Sequence, residues 1–251
     1  MAKKPNQDVA LKKSHEMEVL TDKPSWLTGQ GRGMENVGIN DIVLPRIELV
    51  QPLSPCKDKR DEAAYIPGIE DGMMFNTVSR DSYDSLRVVP VWFRSCYLVF
   101  RTRKAGGGFR GSFDTAAEAE AHRQSLEDPS NHEVIQCGEH IILVMKSDGT
   151  CEQAVLSMTS TKLKVSRQLN SLIRLRGGED SFALVFELGS VQQKNDKGTF
   201  YNYSIKPVGY APHPVFMQGE KLHAMLQRGA KMKTAYDDAI DVGSPQDDRG
   251  M

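Results

Sequence analysis

The stretch Arg87–Arg110, RVVPVWFRSCYLVFRTRKAGGGFR, sets the tightest limit on what this chain can fold into. Read at the two-residue period of an extended strand, one face carries Val89, Val91, Phe93, Ser95, Tyr97, Val99, Arg101 and Arg103. The other carries Val88, Pro90, Trp92, Arg94, Cys96, Leu98 and Phe100. Neither face is cleanly polar, so the strand is expected to be covered on both sides for part of its length. Most of its aromatics then belong to a core. Core packing does not account for its charge. The stretch holds six basic side chains and no acidic one, in a chain of net charge -1.

The other long apolar runs, HIILVM (140–145) and ALVFEL (183–188), are also of strand length. A membrane-spanning helix needs about 20 apolar residues, so no membrane segment is expected. The basic start MAKKPNQDVALKK is followed by no apolar stretch of the signal-peptide type. A cytoplasmic protein is the expectation. Cys56, Cys96, Cys137 and Cys151 form no CxxC pair. Cys137, His140 and Cys151 could offer a zinc ion three ligands, but a closed structural site takes four. Buried thiols, with no metal or other cofactor, are the simpler reading.

Composition and breakers divide the chain into a loose arm (1–38), one folded domain (39–230) and an acidic tail (231–251). The arm is rich in Lys, Glu, Gly and Asn, with Trp26 as its exception. Pro45 and Pro52 make 40–55 an edge strand or an extended lead-in. Residues 114–128 form a helix capped by Asp114 or Thr115. Residues 132–158 read as two strands around an Asp148–Gly149 turn. A second helix covers about 160–176, the polar turn KNDKG (194–198) joins a further hairpin, and a last helix spans about 215–228. The class is α+β, mostly antiparallel β, and the arrangement fits a small OB-like β-barrel with inserted helices.

Charge and aromatic spacing point to a polyanion with stackable groups. Arg94, Arg101, Arg103, Lys104 and Arg110 cluster without a carboxylate among them, and AGGG lets backbone N–H groups come close to phosphates. From Gln153 to Arg176 there are five basic residues and again no acid. In the second helix, Val165, Leu169, Leu172 and Ile173 make a buried stripe. Lys164, Arg167, Ser171 and Arg174 share an outward face there. Trp92, Phe93, Tyr97, Phe109, Tyr201 and Tyr203 are the candidate stacking groups. Core or rim packing is the alternative for the tyrosines, as a solvated face is for the basic row. The chain carries no GxSxG and no HExxH. The acid pairs Glu70–Asp71 and Asp81–Asp84 lie in turn-like sequence, where Asp is favoured for its local hydrogen bonds.

In chain order, IVLPRIELVQPLSP (42–55), GMMFNT (72–77), VVPVWFRSCYLVFR (88–101), STKLKVSRQLNSLI (160–173) and KGTFYNYSI (197–205) resemble blocks of tailed-bacteriophage early proteins described as single-stranded DNA-binding proteins. The resemblance covers about 40–210. It implies an OB-type barrel, single-stranded DNA binding in phage replication or recombination, and no catalysis. It departs from well-known single-strand binders at the C-terminus, which ends Asp-Asp-Arg-Gly-Met rather than in an apolar docking tip.

The expectation is a non-enzymatic protein that holds single-stranded DNA without sequence readout. Its acidic tail would serve as a tether for replication or recombination proteins, and self-association is left open. A strand-annealing recombination protein is one alternative. A phage structural or host-takeover protein that binds another protein is the second, and a metal-dependent nuclease the third.

Overall fold

A computed structural model of the chain describes residues 32–36, 43–176, 179–196 and 198–228, apart from the side chain of Arg103. The tail, Trp26 and nearly all of the arm lie outside the described residues. The ordered elements are β1 (Ile47–Leu49), β2 (Met74–Asn76), β3 (Ser82–Tyr83), β4 (Leu86–Arg101), β5 (Phe109–Phe113), α1 (Ala116–Ser125), β6 (His132–Met145), β7 (Cys151–Thr159), α2 (Leu163–Arg174), β8 (Leu184–Asn195), β9 (Gly198–Tyr210) and α3 (His213–Gln227). The fold is α+β with antiparallel ladders, as expected. Among the described residues, no helix is long and apolar enough to cross a membrane.

Local sequence explains most boundaries. Thr115 and Glu118 form a reciprocal capping box that starts α1. Between β6 and β7, Gly149 takes φ +80°, and the Lys146 N–H donates to the Thr150 carbonyl at 2.8 Å. Only glycine takes that backbone conformation without strain.

The main sheet runs β7-β6-β4-β8-β9, with β5 also on β4. Strand β4 pairs with β6 along nearly its whole length. On its other edge it pairs with β8 only at Leu86–Val88 and with β5 only at Tyr97–Phe100. The backbone from Val89 to Cys96 therefore has no ladder partner on that edge among the described residues. A bulge between Pro90 and Trp92 falls in the same interval. It suits a proline, which has no N–H to give a ladder.

Alternation along β4 feeds two cores. Val88 joins Ile142, Leu156, Phe186, Leu188, Tyr203 and Ile205 on one side, under Val165 and Leu169 of α2. Val89 and Val91 join Leu143, Phe182 and Val185 on the other, under Val215, Leu222 and Leu226 of α3. The expectation that β4 is covered on both faces holds for this half of the strand.

A closed barrel is not what the ladders form. β7 and β9 are the two ends of the strand order, and among the described residues no ladder joins them. The segment 45–51 links them by other means. The Val155 N–H on β7 donates to the Pro45 carbonyl at 2.8 Å. On β9, the Gln51 carboxamide takes the place of a peptide group. Its Nε2 donates to the Tyr201 carbonyl and its Oε1 accepts from the Tyr201 N–H, both at 2.9 Å. The Tyr203 hydroxyl donates to the Ile47 carbonyl at 2.9 Å. The small sheet β1-β2-β3 is fastened to β7 by Asn76, whose amide donates to Glu152 at 2.6 Å.

Gly219 offers a test of this packing. An added Cβ would stand 2.6 Å from the Phe182 Cβ. Alanine gains roughly 1 kcal/mol of helix propensity over glycine, whereas overpacking a close contact costs about 1–3 kcal/mol. Gly219→Ala is therefore expected to lower the thermal midpoint. A raised midpoint in a melting curve would mean that α3 does not bear on Phe182 as described.

Candidate nucleic-acid interface

The three exposed cations of α2 stand apart from the rest. Lys164, Arg167 and Arg174 are exposed, and among the described residues none forms an ion pair. They follow from the helix's own pattern: Val165, Ser166 and Leu169 are buried, which turns 164, 167 and 174 outward.

The helix is seated close to β6 because Gly138 has no side chain. A Cβ there would lie 2.5 Å from the Ser166 Oγ and 3.3 Å from the Phe93 ring. Ser166 hydrogen-bonds the Nε2 of buried His140 at 2.8 Å. The His140 ring packs on Phe93, with centroids 4.9 Å apart. Burial pushes the His140 imidazole down to about 4, so it is neutral at neutral pH.

The remaining basic candidates differ: Arg94 and Arg101 are paired, whereas Lys104 is exposed like the α2 row. Arg94 donates to Glu139 at 2.7 Å, and that carboxylate is buried. Arg101 is 3.1 Å from Asp128, which also lies beside the His132 ring at 3.4 Å. Hydrogen bonding to Asn131, the Arg101 charge and His132 hold the Asp128 carboxyl below its usual range. Lys104 is exposed, and Arg110 is half-buried over its own strand. Gly106, Gly107 and Gly108 all take positive φ, so this loop follows a path that needs glycines.

The aromatics divide sharply. Phe109 is a core residue, packed against Phe100 beside Cys96, Leu98 and Cys137. Tyr203 is buried, with its hydroxyl on Ile47 and the Lys162 ammonium 5.1 Å from its ring centroid. Neither ring can take a base, which corrects that expectation. Tyr201 is half-buried and lies so close to Gly72 that a Cβ there would be 2.6 Å from its ring. Tyr97 is half-buried beside β5. Trp92 is half-buried against His223 of α3, at 5.4 Å. Phe93 is 43% exposed, the most open of the candidate rings.

Trp92, Phe93 and His140 line a cavity of about 210 Å³ with Asn170 and Ile173 of α2 and His223 of α3. It opens beside the stretch of β4 that lacks a ladder partner. Sequence reading missed Asn170 and His223, and weighed His140 only as a zinc ligand. Asn170 was within reach, since it lies three residues after Arg167 and four before Arg174 on the same helix. The two histidines carry no local signal.

The three residues weighed as zinc ligands in the sequence are separated by the topology. Cys137 is opposite Thr159 and Cys151 is opposite Met145, at the other end of the β6–β7 ladder. Cys137 instead meets Cys96 across β4, and with Glu139 their ligand atoms lie within 4.8 Å of one another. A hydrogen bond from the Cys137 thiol to Cys96, together with burial, pushes Cys137 up; the same bond holds Cys96 down. With Glu139 held by Arg94, the group offers two sulfurs and one carboxylate oxygen, short of a tetrahedral set. Of the acid pairs, Asp71 is paired with Lys57 and Asp81 accepts a hydrogen bond from Ser79 at 2.7 Å.

A mostly antiparallel α+β domain that presents an acid-free basic helix beside an aromatic slot is the class of protein these features define. The chain belongs to the Pam3 phage gp34-like protein family, whose model matches residues 13–232, and it is thus a bacteriophage protein. Among curated proteins and solved structures, nothing is significantly similar to it.

Proposed function

We propose that this phage protein binds single-stranded DNA without sequence readout, in replication or recombination in the host cytoplasm, and that it is not an enzyme. The observation that carries the reading is the exposed row Lys164, Arg167 and Arg174 on α2, which forms no ion pair among the described residues and lies beside a cavity lined by aromatic rings. A row of cations supplies phosphate contacts, and rings supply sequence-tolerant stacking.

The topology supports an OB-type reading of the fold. Counting β4, β6, β7, β8 and β9 as first to fifth, the spatial order is 3-2-1-4-5, with α2 between the third and fourth. That order is the one a five-stranded Greek-key barrel would have, with no ladder between its third and fifth strands among the described residues. In that fold the loops between strands one and two and between four and five flank the oligonucleotide site. Here the first of these carries Lys104, Gly106–Gly108 and Arg110, and the second adjoins Lys194.

A titration of labelled oligo-dT at several salt concentrations tests the reading. The logarithm of the affinity is expected to fall linearly with log salt, with a slope of about -0.7 for each phosphate contact. Binding that is absent, or flat across moderate salt, would overturn it.

A further inference from the structure

We infer that the slot between α2 and α3 receives a single unstacked base of the bound strand, with the Phe93 ring as its stacking platform and the Asn170 carboxamide on its edge. This rests on the single-strand reading above and assigns one place in it.

Four features converge on the slot. Its volume, about 210 Å³, suits one flat ring system rather than a drug-sized ligand. Its walls are Trp92, Phe93, His140 and His223. Phe93 is already fixed on its inner side by His140 at 4.9 Å, and Trp92 by His223 at 5.4 Å. Both rings are therefore held before any ligand arrives, which lowers the entropic cost of binding. His140 contributes a neutral surface because burial disfavours its charged form, and its Nε2 is engaged by Ser166.

The polar complement is small and well placed. The Asn170 side chain makes no hydrogen bond among the described residues, and an amide presents both a donor and an acceptor to a base edge. Arg167 and Arg174 flank Asn170 on the helix at i−3 and i+4 and are exposed. A base in the slot thus carries its sugar-phosphate toward cations that no carboxylate among the described residues neutralises. This charge argues for a nucleotide occupant over an apolar peptide. The gap in pairing on β4 at Val89–Cys96 keeps a neighbouring strand from covering the mouth.

The full chain would be titrated, by anisotropy, with labelled oligo-dT and with an abasic oligomer of the same length and charge. Wild type is expected to prefer oligo-dT by about tenfold or more, the scale of base–aromatic stacking. Phe93→Ala is expected to abolish the preference while retaining the abasic affinity, and Phe93→Trp to restore it. Asn170→Ala should reduce the preference in part. Melting curves of each variant confirm that the fold is kept, and the abasic affinity reports the phosphate contacts independently. If wild type binds both oligomers equally, or Phe93→Ala keeps the preference, the slot assignment falls and the single-strand reading stands. If neither oligomer binds, the single-strand reading fails and this assignment with it.

Discussion

Reversing three charges on α2, in K164E/R167E/R174E, is expected to weaken oligo-dT binding by on the order of 100-fold at moderate salt. Three exposed phosphate contacts at roughly 0.9 kcal/mol each amount to about two powers of ten. The salt slope should shrink by about 2, from three contacts at 0.7 each. Stability should barely change, because all three side chains are exposed and none is ion-paired among the described residues. The comparison is with neutralising Arg94 and Arg101, set against the same neutralisation of two α2 cations in R167Q/R174Q. Arg94 and Arg101 are already engaged by Glu139 and Asp128, so R94Q/R101Q should reduce the slope less. If the α2 variant binds as wild type, the strand runs elsewhere on the protein.

The second large effect is on stability in mild acid. Buried His140 has its folded-state value pushed down to about 4, against about 6.5 in an unfolded chain. Between those values the unfolded chain binds a proton that the folded chain refuses, so stability rises with pH across that window. It is complete above about 6.5 and is lost as pH falls toward 4. From pH 7 to pH 4.5 the expected loss is about 2–3 kcal/mol. The carboxyls held low, Asp128 and Glu120, act mainly below this window, since free carboxylates titrate near 4. Urea unfolding at pH 7, 5.5 and 4.5 measures the effect. His140→Gln should be less stable at pH 7 yet much flatter with pH. An equal acid loss in that variant would place the responsible group elsewhere.

How much could be read from the chain depended on whether the deciding contact was local. Thr115 and Glu118 are three residues apart, so the start of α1 was legible. So was the Asp148–Gly149 turn, where glycine meets a backbone need. The wet and dry faces of α2 followed from spacing alone. The tyrosines of β9 did not. Alternation groups Tyr201, Tyr203 and Ile205 but cannot say which way the group points. That was settled by Ile47 and Gln51, about 150 residues earlier, which hold their side inward. Arg94 and Arg101 misled for the same reason. Their own stretch contains no acid, yet Glu139 and Asp128 reach them from 45 and 27 residues away. Phe109 was lost to the core through Phe100, on a strand that folds back beside it. The slot was the least legible, because its walls come from two strands and two helices.

The Gln51–Tyr201 clasp has a consequence for how the protein is made. Its two halves are separated by 150 positions in the chain. At a synthesis rate of about 5–20 residues per second, Gln51 leaves the ribosome roughly 8–30 s before Tyr201. Throughout that interval the first strand segment has no partner on β9. The central β4–β6–β7 meander, by contrast, can pair as soon as it emerges. The earliest-made strand segment is thus among the last to be secured, and the nascent chain carries an open flank until its final hairpin appears.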